Sequence, residues 1–82
     1  MQKYDIQILK KANKFIQSQN PRDRKRIYEE IYNLPNASDV VKMKRYDNRY
    51  RLRVGNYRII FEKYNDHLII IVIEADNRGD IY

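Results

Sequence analysis

The chain has 82 residues and a formal net charge of +6, from 17 Lys and Arg against 11 Asp and Glu. That length supports one small domain with one core, so any functional site must lie on an open surface, and the positive excess points to a polyanionic partner. With no cysteine, disulfide and thiolate–metal chemistry are excluded and a reducing cytoplasm fits; one histidine rules out a multi-histidine metal site, and the longest apolar run, Leu68 to Ile73, is too short to span a bilayer.

Composition changes little along the chain, which has two Gly, two Pro and no repeat, so residues 1–82 read as a single domain without a linker. Met1 to Asp5 shows no basic stretch leading into an apolar run and does not read as a signal peptide. Lys3 to Leu9 alternates as a strand, with Tyr4, Ile6 and Ile8 on one face. Between Leu9 and Gln19 the residues Ala12, Phe15 and Ile16 recur at helical spacing and predict a short first helix. Asn20-Pro21 starts a second one, because Asn caps a helix N-terminus and Pro at the first helical position has no amide to leave unbonded. Ile27, Tyr28, Ile31 and Leu34 form its apolar stripe until Pro35 stops it. The helical hairpin exposes Arg22, Arg24, Lys25 and Arg26, and periodicity brings Tyr28 and Tyr32 toward the core, as it does Tyr57 from the sheet.

After a loop at Asn36 to Asp39 the period becomes strand-like. Gly55-Asn56 lies between Tyr50–Val54 and Tyr57–Tyr64, and glycine first in a two-residue turn is the requirement of a type II′ hairpin. Asn65-Asp66 is read as a second such turn into His67–Ala75, completing a three-stranded antiparallel meander. The first turn sets Val54 opposite Tyr57, Arg53 opposite Arg58, Leu52 opposite Ile59 and Arg51 opposite Ile60. Leu52, Val54, Tyr57, Ile59 and Phe61 then form one apolar face for the helices, while Arg51, Arg53 and Arg58 project together from the other. Continued through the second turn, the same register expects Val72 opposite Ile59 and Ile73 opposite Arg58. The arginine face would therefore also carry Ile60, Ile71 and Ile73 and be partly covered.

Guanidinium groups set directly across a ladder repel unless an anion lies between them, and their forked N–H groups match phosphate oxygens. The final strand is expected to return beside Arg58 and bring Arg78 and Tyr82 to the same end of the sheet, adding a phenol able to exchange a proton. Solvated arginines on an exposed strand face are the competing explanation for Arg51, Arg53 and Arg58 taken without that tail. Glu62 reads as the partner of Arg49, its cross-strand neighbour, and only weakly as a base; His67 reads as an exposed turn residue.

These segments, Tyr50-Arg51-Leu52-Arg53-Val54-Gly55-Asn56-Tyr57-Arg58 and Asp76-Asn77-Arg78-Gly79-Asp80-Ile81-Tyr82, resemble the signature of the RelE/ParE toxin superfamily of type II toxin–antitoxin systems, more closely its RelE branch. Lys42-Met43-Lys44 is similar to the family's Lys-Leu-Lys approach to the strand. The resemblance covers nearly the whole chain. It implies an α+β fold of order β-α-α-β-β-β, a helical hairpin on one face of a small, mostly antiparallel sheet. It also implies a ribosome-dependent messenger-RNA endoribonuclease, acting in the A site without metal or cofactor and inhibiting translation. In that mechanism the 2′-hydroxyl attacks its own 3′-phosphate, giving a 2′,3′-cyclic phosphate and a free 5′-hydroxyl.

On the matching positions, Arg53, Arg58, Arg78 and Tyr82 are the expected catalytic residues, and Lys42, Lys44, Arg45 and Arg51 the RNA-binding ones. Arg58 and Arg78 would stabilise the pentacoordinate phosphate, and Tyr82 would transfer a proton or stack on a base. The implied partners are messenger RNA, ribosomal RNA gripped by Lys42, Lys44, Arg45 and the Arg22 to Arg26 cluster, and an acidic antitoxin joined in a hetero-oligomer. No membrane is involved. Two departures bear on chemistry: Asn77 stands where many relatives have His, and Arg51 and Arg53 replace lysines, holding their protons too tightly to act as bases. A ParE-like toxin that inhibits DNA gyrase, and an inactive RNA- or antitoxin-binding homologue, remain the alternatives.

Overall fold

Alternation at the start of the chain produces strand β1 (Asp5–Ile8) in a computed structural model that describes residues 3–77. Helix α1 (Lys10–Gln17) and helix α2 (Pro21–Tyr32) follow as a hairpin, and then come β2 (Val40–Lys42), β3 (Arg49–Val54), β4 (Tyr57–Tyr64) and β5 (Ile69–Asn77). The sheet order is β1-β5-β4-β3-β2, with β1 parallel to β5 and every other pair antiparallel. The expected α+β fold is present, with one addition: β2 is a short edge strand that the sequence reading passed over. Three residues are too few to display a period.

Helix α2 begins where Asn20-Pro21 places it. The Asn20 side chain accepts the Asp23 backbone N–H at 2.9 Å, satisfying one of the donors that open a helix. Arg24 folds back so that Nη1 donates to the Gln17 carbonyl at 3.2 Å, closing the end of α1. Tyr28 ties the two helices together, accepting from Gln17 Nε2 at 2.9 Å and donating to Asn13 Oδ1. Tyr32 departs from expectation: it is 61% exposed and stacks on Tyr28, with ring centroids 6.4 Å apart. It lies one turn beyond Tyr28 along the rim of the hairpin, where the inward position is already taken by Ile31.

The core is a single layer between hairpin and sheet. Ala12, Ile16, Ile27, Ile31 and Leu34 meet Leu52, Val54, Ile59, Phe61, Ile70, Val72 and Ala75, with Tyr4, Ile6, Ile8, Phe15, Tyr28 and Tyr57 packed around them. Each large apolar side chain withdrawn fully from water contributes roughly 1.5–3 kcal/mol. One face of the sheet is therefore fixed against the helices, and alternation turns the other face outward.

The β3–β4 register is the one the Gly55-Asn56 turn dictates, from Val54 opposite Tyr57 to Arg49 opposite Glu62. Gly55 has φ of 58°, a conformation costly for a residue with a Cβ. The β4–β5 register differs from expectation. Ala75, not Val72, lies opposite Ile59, and Asp76, not Ile73, lies opposite Arg58. Two local features cause this. The connection runs through four residues, Asn65 to Leu68, with Leu68 at φ of 53°, and a bulge then leaves Ile73 between the pairs Phe61–Val72 and Ile60–Glu74.

Candidate functional site

Register alone builds the outward face as transverse rows. Arg53 on β3, Arg58 on β4 and Asp76 on β5 form one; Arg51, Ile60 and Glu74 form the next; Arg49, Glu62 and Ile71 form a third. Cations thus stack along β3, and carboxylates collect toward β5. Ile60 is 7% exposed, buried although it faces away from the helices, and Ile71 and Ile73 are half-buried. The partial cover expected for this face is therefore complete at Ile60 and incomplete at Ile71 and Ile73.

Two of the four arginines have counter-ions. Arg49 Nη2 donates to Glu62 Oε2 at 2.8 Å, and its guanidinium carbon lies 4.1 Å from the Tyr46 ring centroid. Hydrogen bonds from Arg49, and then from Tyr64 at 2.7 Å, hold the Glu62 carboxyl below its ordinary pKa. Glu62 is therefore the structural partner of Arg49. Arg58 donates from Nε to Asp76 Oδ1 at 3.2 Å and from Nη2 to Asp76 Oδ2 at 2.9 Å, a bidentate pair that raises the arginine pKa further.

Arg51 and Arg53 differ. Neither has an ion pair among the described residues, and in both the Nε atom is buried without an acceptor. The Arg49 Nε is in the same condition. Polar groups withdrawn from water normally have a partner, and these inner N–H groups have none among the described residues. Being buried they cannot meet a ligand themselves, so it is the charge of the part-exposed, unpaired Arg51 and Arg53 that an incoming oxyanion could neutralise. Arg53 also stands directly across the ladder from Arg58, where like charges repel unless something negative comes between them.

The remaining expected residues are distributed more widely. Lys42, Lys44 and Arg45 are exposed, but Lys42 pairs in register with Tyr50 and so lies on the helical side of the sheet, away from Arg51. Arg22, Lys25 and Arg26 are exposed on α2, while Arg24 is occupied at the end of α1. Arg26 leans over the β3–β4 turn; a Cβ placed on Gly55 would lie 3.1 Å from its Nη1. Beneath that turn the Tyr57 hydroxyl donates to Asp23 Oδ2 at 2.7 Å, which raises the tyrosine pKa and fastens β4 to α2. Tyr57 is thus structural, as expected. His67 is an exposed turn residue. Arg78 and Tyr82 lie outside the described residues.

Comparison with known proteins follows the same lines. A family model described as the ParE toxin of the type II toxin–antitoxin system matches residues 6–82. The chain belongs to this family. Among solved structures, a RelB–RelE antitoxin–toxin complex from Methanococcus jannaschii contains a chain 34% identical, with 93% of this chain and 94% of that one covered and a TM-score of 0.74. An archaeal RelE–RelB complex from Pyrococcus horikoshii is similar at 28% identity, with 96% and 98% covered and a TM-score of 0.77. The intact toxin–antitoxin complex of E. coli RelBE, at 14% identity, 90% and 95% coverage and a TM-score of 0.74, shares the fold. A search of curated proteins gives no match.

As a RelE/ParE toxin of a type II system, the protein presents a basic sheet face in which Arg51, Arg53 and Arg58 are brought together as the hairpin register requires. Sequence reasoning missed Asp76 as the partner of Arg58. The only signal was its place beside Asn77 and Arg78 in the tail motif, and a bulge residue had to be recognised before it could be aligned.

Proposed function

We propose that this toxin is a ribosome-dependent endoribonuclease that cuts messenger RNA in the A site, by attack of a 2′-hydroxyl on the adjacent phosphate. The observation carrying this reading is the set of Arg51, Arg53 and Arg58 brought together on the sheet face opposite the helices, with Arg51 and Arg53 lacking a counter-ion among the described residues. In the proposed reaction the 2′-oxygen bonds to phosphorus and the bond to the 5′-oxygen breaks, leaving a 2′,3′-cyclic phosphate and a 5′-hydroxyl. Arg51 and Arg53 hold the scissile phosphate, and Arg58 with Arg78 neutralises charge that grows in the transition state. Tyr82 is the group proposed to move the proton or to stack on a base. Lys42, Lys44, Arg45, Arg22 and Lys25 supply non-specific attraction to ribosomal RNA.

The partner proposed for control is a cognate antitoxin of acidic character, because the related archaeal toxins were solved as complexes with RelB. Half-buried Ile71 and Ile73 beside the arginine face suit a segment that folds on binding and brings carboxylates to the guanidinium groups. Expression of the chain without such a partner should arrest growth, and Arg58→Ala or Arg78→Ala should relieve the arrest. Tyr82→Phe and Tyr82→Ala separate the roles of the tail phenol: loss of cleavage in both assigns chemistry to the hydroxyl, loss in Ala alone assigns stacking.

A second reading follows from the matched family model, which is described for ParE. On that reading the toxin inhibits DNA gyrase and cuts no RNA. A supercoiling assay decides between them: inhibition of gyrase that survives Arg58→Ala, with RNA left intact on ribosomes, would replace the nuclease proposal.

A further inference from the structure

Arg58 stands between a like charge and an opposite one, in the row Arg53–Arg58–Asp76. We propose that Asp76 is a positioning residue that orients Arg58 toward the phosphate; this rests on the nuclease reading above. A guanidinium has two edges able to form a paired contact with an oxyanion. Asp76 occupies the edge formed by Nε and Nη2, at 3.2 and 2.9 Å, so Nη1 and the outer N–H of Nη2 remain for a second oxyanion.

The contact also answers the electrostatic problem of the row. Without Asp76, repulsion from Arg53 would favour conformers in which the Arg58 side chain swings away into solvent. The carboxylate on β5 supplies the compensating attraction from the opposite side, and Arg58 stays in register with Arg53 at no cost in ordering when the substrate arrives. Both side chains are about one-third exposed, at 36% and 35%, so the pair is accessible to a ligand and not sealed in the core. The bulge at Ile73 is what sets this up, since it brings Asp76 into the position opposite Arg58 while Ala75 turns to the core.

A positioning role separates binding from chemistry. Asp76→Asn removes a negative charge, so a single-stranded RNA oligonucleotide should bind as tightly as to the unaltered toxin or up to about threefold tighter. On translating ribosomes the single-turnover rate of messenger-RNA cleavage at saturation should nevertheless fall about tenfold, because Arg58 is no longer held. Asp76→Glu should recover most of that loss. Arg58→Ala combined with Asp76→Asn should cleave no more slowly than Arg58→Ala alone, since Asp76 acts through Arg58.

An Asp76→Asn toxin that cleaves at the original rate would overturn the proposal, as would a tenfold loss that persists in the Arg58→Ala background. If the unaltered toxin cut no RNA at all, the nuclease reading would fail by itself. The tether would then be judged from the Arg58 Nε–H resonance in nuclear magnetic resonance spectra. Slow solvent exchange that becomes fast in Asp76→Asn, with inorganic phosphate still shifting Arg51 and Arg53, supports the orienting contact; an Arg58 resonance indifferent to Asp76→Asn refutes it.

Discussion

Under the proposed nuclease activity, Arg53 is where stability and function would pull against each other. It faces Arg58 across the ladder and has no counter-ion among the described residues. Replacing it by an uncharged residue removes a repulsion of roughly a few tenths of a kcal/mol. Arg53→Gln should therefore keep Tm unchanged or raise it by roughly 2 °C, as expected for a small domain, while RNA cleavage drops sharply. A large fall in Tm, read from thermal unfolding, would show instead that the arginine stem is needed for packing. Glu62 makes the opposite prediction. Its carboxyl is held below the ordinary range by Arg49 and Tyr64, so its stabilisation is present above that range and is lost as pH falls through the lowered folded-state value. The Tm deficit of Glu62→Gln should be largest near neutrality and shrink on acidification below the ordinary carboxylate range. A deficit independent of pH would mean that the pair stabilises through packing alone.

At the scale of elements, what could be read from the chain depended on whether local chemistry specified geometry. Asn20-Pro21 specified a helix start by hydrogen bonding, and Asn20→Ala should cost about 1 kcal/mol, lowering Tm by about 4–8 °C without altering the sheet. Unchanged thermal stability would mean that Pro21 and the helical packing suffice. Gly55-Asn56 specified the β3–β4 register because only a positive φ at the first position closes that turn, and from it the common face of Arg51, Arg53 and Arg58 followed directly. The β4–β5 pairing offered no such handle. Leu68 to Ile73 is apolar at every position, so no alternation marks which residues point inward, and a shift in register leaves no trace in the pattern. A positive φ at Leu68 and the bulge at Ile73 likewise have no residue signature, since neither involves glycine. Asp76 consequently stayed invisible as the partner of Arg58 until the strands were paired.

Over the whole molecule, the helices are confined to one side of the sheet and the cations of β3 to the other. The arrangement gives a protein of net charge +6 a basic surface opposite the helices without requiring a cleft, as the proposed ribosome-held substrate would need. Charge also falls from β3 toward β5, because Asp76 and Glu74 lie in the rows beside Arg58 and Ile60. A phosphate chain is therefore expected to run along β3, over Arg51 and Arg53, with Arg58 reaching it from the side. The decisive measurement is single-turnover cleavage of a messenger RNA on translating ribosomes with a defined A-site codon, comparing the unaltered toxin with Arg58→Ala at matched thermal stability. The expected result is a cut in the A-site codon bearing a 2′,3′-cyclic phosphate, slowed on the order of 10²–10³-fold by Arg58→Ala. Intact messenger RNA with the unaltered toxin, or equal cleavage by Arg58→Ala, would contradict the assignment of this sheet face as a nuclease site.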